Sequence, residues 1–173
     1  LGGMRLISKD DGTWEMQRIR ELEYLMLSKL EDACDPGGSQ AAIDRLLPSP
    51  LGRPAVDDKE DELVADWESL VHPDLRSQFR SSIEVVLSDM REITGRKRSG
   101  EMEYRLVVPK KHADDWCSAL NQARLILHER HKLPEDELEL DMEGGHEQWL
   151  AILQSEIYGS IMEFLVTRIL WLK

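Results

Sequence analysis

The stretch Trp116-Cys117-Ser118-Ala119-Leu120-Asn121-Gln122-Ala123-Arg124-Leu125-Ile126-Leu127-His128-Glu129-Arg130-His131 decides the fold. On a helix each residue turns by about 100°. With Trp116 at zero, Leu120, Ala123 and Leu127 fall on its side, Ala119 and Ile126 widen that face, and Leu125 falls almost opposite. Ser118, Gln122 and Glu129 form a narrow polar stripe. A helix apolar on nearly every side is buried between layers rather than laid on a surface, so 116–131 is expected at the centre of the molecule. Asn121, Arg124 and His128 then stand out on the flank of the apolar face. Polar side chains withdrawn from water need partners. These three are expected to bond to loop backbone and acidic neighbours and lock helices together. Convergence on an open pocket would instead indicate a small-ligand or metal-dependent enzyme.

Working outward, the helix is expected to run over 110–131, after a strand at 102–108 that Pro109 stops. Before that strand, 96–100 is a basic stretch predicted as a flexible loop. The N-terminus alternates apolar and polar residues over 4–9 and 13–17 around Asp10-Asp11-Gly12, a β-hairpin signal. Helical spacing of Ile19, Leu22, Met26 and Leu30 predicts a helix over 18–33, stopped by Asp35-Pro36-Gly37-Gly38. A short helix is expected at 41–47, ahead of a proline-rich loop. An acidic-started helix follows at 57–70, with Leu63, Val64, Trp67 and Leu70 as its buried stripe. Pro73 suits the first turn of another helix, predicted to reach Thr94 with Gly95 as its cap. Its core face is Leu75, Phe79, Ile83, Val86, Leu87, Met90 and Ile93. The segment 133–145 reads as an acidic loop and 146–172 as a long final helix. The expected fold is α+β and predominantly helical, a single domain over 1–173. It has about five helices and a small three-stranded antiparallel sheet made of the N-terminal hairpin and strand 102–108. Leu1-Gly2-Gly3 is expected to be a non-native remnant ahead of Met4.

The chain has 173 residues, 41% hydrophobic and 32% charged, which suits a globular domain able to bury a core. Its net charge of −12 argues against non-specific binding to DNA, RNA or anionic membranes, whose phosphates would repel it. Two cysteines, Cys34 and Cys117, suit reduced thiols in a cytoplasm, and Cys117 is expected to be a packing residue. No apolar run approaches the roughly 18 residues of a membrane span.

Motifs that carry chemistry are weak. His128 and His131 share the i, i+3 spacing of some metal sites, but no His-Glu-x-x-His and no cysteine pair accompanies them. Asp114-Asp115 and Glu135-Asp136-Glu137 fall at a helix start and in a loop, where carboxylates are common. Gly144-Gly145 precedes a helix whose amides could meet an anion. Phosphate-loop, dinucleotide and nucleophile-elbow patterns do not occur. Catalytic residues, cofactor and metal are therefore all expected to be none. Arg96-Lys97-Arg98 and Lys110-Lys111 are the basic concentration, at opposite ends of strand 102–108. They suit solvated loops or, more sharply, an acidic partner protein. DNA binding would need further elements.

Trp116-Cys-Ser-Ala-Leu120-Asn121-Gln-Ala-Arg124-Leu125 resembles the Trp-Leu-x-Ala-Leu-Asn-x-x-Arg-Leu signature of an uncharacterised bacterial family, the domain of unknown function numbered two thousand and seventeen. Arg45-Leu-Leu-Pro48, the acidic helix at 57–70 and Gln148-Trp149-Leu150 extend the resemblance from about residue 18 onwards. Cys117 departs from the signature's leucine. The resemblance implies a cytoplasmic bacterial α-rich protein without catalytic residues to carry over. It also implies a setting beside the adaptor that feeds substrates to the Clp protease, and for some members a label of transcriptional regulator.

The expected function is therefore a non-enzymatic protein-interaction or regulatory domain linked to regulated proteolysis. A homodimer is expected through the end of the last helix, where Ile169, Leu170, Trp171 and Leu172 would form a costly exposed patch. The alternatives are an enzyme built on Asn121, Arg124 and His128, and a DNA-binding regulator using 96–98.

Overall fold

A computed structural model of the chain describes residues 3–133 and 145–171. Its sheet starts from the hairpin read at the N-terminus. Strand β1 (Arg5–Ser8) turns into β2 (Thr13–Ile19) through Gly12, whose φ of 82° suits glycine. Asp11 holds the turn by accepting from the backbone and hydroxyl of Thr13. Strand β4 (Glu101–Pro109) pairs with β2 in antiparallel register, Trp14 opposite Val108 and Met16 opposite Leu106. The register slips between Met16 and Ile19, and there Arg18 takes a φ of 54°, the mark of a bulge.

Among the described residues the sheet has four strands rather than three. Strand β3 (Thr94–Arg98) occupies part of the basic stretch expected to be a loop, and the order is β1-β2-β4-β3. Two residues join β3 to β4, Ser99 at φ 51° and Gly100 at φ 91°. Two consecutive positive φ angles are what a tight hairpin turn requires. Gly95 is therefore not a helix cap. It lies opposite Tyr104, and a Cβ there would stand 3.0 Å from the Tyr104 ring and from the Met102 methyl. The ring covers the glycine and stacks on Tyr24 at 4.2 Å.

Seven α-helical segments occur among the described residues, one of them a single turn. They are α1 (Glu21–Ser28), α2 (Leu30–Ala33), α3 (Gln40–Leu46), α4 (Asp58–Leu70), α5 (His72–Met90), α6 (Ala113–His131) and α7 (His146–Leu165). The expected helix 18–33 begins later, because Ile19 is still in β2, and it breaks at Lys29 into α1 and α2. Helix α5 ends at Met90, short of Thr94. Ser39 caps α3 and Asp57 caps α4, each by its side-chain oxygen. A turn of 3-10 helix, Lys110–His112, leads into α6. Lys132, left-handed at φ 50°, ends α6. Beyond α7 the chain widens into a π-helical turn, Val166–Leu170.

Helix α6 is central, as the sequence predicts: α2, α3, α5 and α7 all pack on it. Trp116 meets Trp14 of β2 edge-to-face at 5.4 Å, joining helices and sheet in one core. Two expectations about helix faces are corrected. Gln122, placed on the polar stripe, is 3% exposed, because the α3 side of α6 is covered too. The α4 stripe is not buried: Leu63 is 50% and Leu70 71% exposed, and no α4 residue reaches the core. This helix packs chiefly on α5.

Candidate functional site

The three polar residues singled out on α6 separate. Asn121 is exposed. Arg124 and His128, one turn apart and half-buried, converge on Ser155 of α7. Arg124 Nε donates to Ser155 Oγ at 3.4 Å, and His128 Nε2 lies 3.1 Å from the same oxygen. Ser155 is buried at 3% exposure. Gly159, one turn on, leaves room for the guanidinium: a Cβ there would be 3.4 Å from Arg124 Cζ. Helical i, i+4 spacing on both partners produces this meeting. The cluster bonds α6 to α7 through side chains rather than to loop backbone.

A second cluster, at the α5–α6 seam, is not foreseen by the sequence reading. Asp89 is 9% exposed. Its Oδ2 accepts the Trp116 indole N–H at 2.9 Å, and His112 Nδ1 lies 3.0 Å from both carboxylate oxygens. Farther along the seam Ser82 Oγ donates to Asp115 Oδ1 at 3.0 Å. One signal was available: a buried indole needs an acceptor, and Asp89 interrupts an apolar face between Val86 and Met90. At the other side of the core Tyr158 donates to the Met26 carbonyl at 2.7 Å, near the break between α1 and α2. Gln154 supports both groups. Burial pushes the Tyr158 phenol up, so it stays a neutral donor.

Neither cysteine is set up as a nucleophile. Burial pushes Cys34 up to about 12, and its thiol donates to the Ala119 carbonyl. Burial, then Asp114, pushes Cys117 up to about 11. Both are protonated near neutral pH. Among the described residues no group of three or more His, Cys, Asp or Glu is placed to hold a metal ion. Glu135, Asp136, Glu137 and Gly144 lie outside those residues.

What remains open is the outer face of the sheet. Strand alternation sends Trp14, Met16, Leu106 and Val108 inward and Glu15, Gln17, Arg105 and Val107 outward. Arg5 on β1, Arg18 at the bulge, Arg105 on β4, and Arg96 and Arg98 on β3 line a shallow cavity of about 520 Å³. A smaller hollow of about 280 Å³ adds Arg20. Three carboxylates sit among these six arginines. Glu15, 3% exposed, takes Arg105 at 2.6 Å and Lys9 at 3.6 Å. The Arg105 hydrogen bond, more than any other influence, holds its carboxyl below the usual range. Glu103 lies 3.8 Å from both Arg96 and Arg98, too far for a tight bond to either. Glu101 pairs with Arg98 in the β3–β4 register. The guanidinium groups of Arg5, Arg18 and Arg20 pair with no carboxylate among the described residues; the Arg20 backbone N–H donates to Glu23 Oε2 at 2.8 Å. The predicted second basic cluster lies at the other end of β4, where Lys110 bonds the Lys9 carbonyl and Lys111 is exposed. Only the separate run 96–98 was legible. The convergence with Arg5, Arg18 and Arg105 comes from strand order.

A larger cavity, about 1060 Å³, lies between α3, the loop at 48–55, α4 and α5. Its wall includes Trp67 and His72, whose Nε1 and Nε2 are buried without a hydrogen-bond partner among the described residues. At the C-terminal end Ile169 is buried, Leu170 half-buried and Trp171 82% exposed. Leu172 lies outside the described residues. No described helix is long and apolar enough to cross a membrane.

The chain belongs to the family described as a domain of unknown function (DUF2017), whose model matches residues 6–168. No curated protein and no solved structure matches it.

Proposed function

We propose that this chain is a cytoplasmic, non-enzymatic protein-interaction domain that presents the outer face of its sheet to a protein partner. The observation that carries the reading is a charge asymmetry. A molecule of net charge −12 gathers six arginines around two adjoining hollows on one sheet face. Like charges so close repel one another, and an anionic partner relieves that repulsion. The polar clusters inside the molecule support the same division of labour: Ser155 and Asp89 are each buried and tied between helices. Both cysteines are free thiols, which suits a reducing compartment. Regulated proteolysis, the setting implied by the family resemblance, is the process in which to seek the partner.

Trp171, 82% exposed, favours a second contact, a homodimer through the C-terminal end. One experiment addresses both contacts. A photo-cross-linking residue replaces Val107, in the open face, or Trp171, in chains expressed in the native host. The face position is expected to capture a discrete partner protein, lost when Arg96 and Arg98 become Glu. The Trp171 position is expected to give an adduct of twice the chain's mass. Adducts from neither position would refute the proposal.

A further inference from the structure

The open face has an edge, and the edge narrows the kind of partner. Among the described residues strand β3 pairs with β4 on one side only, and all five of its residues are exposed. Its outer backbone N–H and C=O groups are thus a template for another strand. Charged side chains on such an edge normally deter pairing between uncharged strands. Here they are of one sign. Arg96 and Arg98 project on the open face two residues apart, with Lys97 between them on the other face. Side chains of an added strand alternate with the same period of two. An added strand would therefore bring every second residue beside Arg96, Arg98 and the cavity they share with Arg5 and Arg18. Carboxylates on that strand complement the arginines, which form strong charge-assisted bonds to carboxylate. A long polyanion such as nucleic acid fits less well, because beyond the face it meets the rest of a chain with net charge −12.

We propose that β3 and the arginine face receive an extended acidic segment of a partner protein, added as a fifth strand, with Asp or Glu at alternate positions. This rests on the interaction reading above and names the partner's chemistry. Acidic sequence would select the partner and main-chain pairing would set its direction.

The test is fluorescence anisotropy with the whole chain and a labelled peptide, Glu-Val-Glu-Val-Glu-Val-Glu. Controls are the same peptide with Lys for Glu, with alternate backbone nitrogens methylated, and a short DNA duplex. The glutamate peptide is expected to bind, and the lysine peptide not. Affinity should fall about tenfold or more in R96Q/R98Q, or at about 0.5 M salt. Methylation, which keeps the charge but blocks the ladder, should weaken it similarly. Both arginines are exposed, so the variant should fold, with circular dichroism as the check. R5Q/R18Q provides an independent second variant. The proposal is overturned if the glutamate peptide does not bind, or if neither variant weakens it. It is equally overturned if the methylated peptide binds as well, if DNA binds more tightly, or if R96Q/R98Q abolishes self-association instead. Failure of the peptide while cross-linking at Val107 still depends on Arg96 and Arg98 would sink the acidic strand alone. Loss of both would sink the interaction reading too.

Discussion

Asp89 ties three pieces of the chain together: α5, the turn before α6, and the buried Trp116. A carboxylate at 9% exposure is stable there because it accepts from the indole and faces His112. Removing it leaves the indole N–H buried without an acceptor, the expensive way to lose a hydrogen bond. Asp89→Ala is expected to lower unfolding free energy by about 2–4 kcal/mol in urea titration. Trp116→Phe, which keeps most of the bulk, should cost less than Asp89→Ala. An Asp89→Ala loss within about 0.5 kcal/mol, the range of an ordinary surface change, would mean that the contact does not matter. Glu15 gives a pH-dependent counterpart. Its carboxyl is held below the ordinary 4.5, chiefly by Arg105. A depressed folded-state value means the charged form stabilises the fold above about pH 4.5, and this support fades as pH falls through the folded value. Glu15→Gln should therefore show a flatter loss of stability on acidification below pH 4.5. An acid profile parallel to the parent's would contradict this. The helical wheel made Trp116 legible as core because period and burial are coupled. It did not reveal Asp89, since one helix's periodicity says nothing about which neighbour supplies an acceptor. It placed Gln122 outside because amides are usually exposed, whereas here packing covers that side and the amide donates to Ser118 Oγ.

At the scale of elements, α4 contrasts with α6. Helix α4 has a good cap at Asp57 and a paired Arg53–Glu60 bridge at 2.7 Å, which holds the Glu60 carboxyl down to about 2. Yet it buries no residue, leaves Leu63 and Leu70 in solvent and borders the cavity of about 1060 Å³. Local signals make it a helix; packing gives it little stability, and an exposed ion pair adds little. Native-state hydrogen exchange should show α4 amides opening at free energies several kcal/mol, about half or less, below those of α6. Equal protection of α4 and α6 would show that the cavity face is closed in solution. The same gap between local pattern and packing explains which elements the sequence revealed. Period 3.6 identified α4 and wrongly implied that its stripe is buried, because amphipathicity does not name a partner. Strand β3 was hidden for the opposite reason. Thr94-Gly95-Arg96-Lys97-Arg98 has no apolar alternation, since an edge strand with both sides of its outer half in solvent needs none. What forms it is the Ser99-Gly100 turn and the ladder to β4.

At the scale of the whole molecule, the question is whether sheet and helices stand or fall together. Trp14 lies on β2, Trp116 on α6 and Phe164 on α7, and the two Trp-centred contacts, 5.4 and 6.0 Å, link all three layers. The buried apolar residues form a cluster that runs from β2 and β4 through α1, α5, α6 and α7. With the core shared in this way, neither sheet nor helices can leave without exposing the other's apolar surface. Unfolding should then be cooperative: fluorescence of the W67F/W149F/W171F variant, which keeps only Trp14 and Trp116 of the core, should change together with far-ultraviolet circular dichroism, which is dominated by the helices. One transition is expected, with an unfolding free energy of about 5–15 kcal/mol, preceded only by the local opening of α4. If fluorescence changed at clearly lower denaturant than circular dichroism, the sheet would be a unit that melts away from the helices. The acidic strand proposed to dock on β3 would then bind a face whose stability is its own, and the peptide would raise the fluorescence midpoint alone rather than both midpoints together.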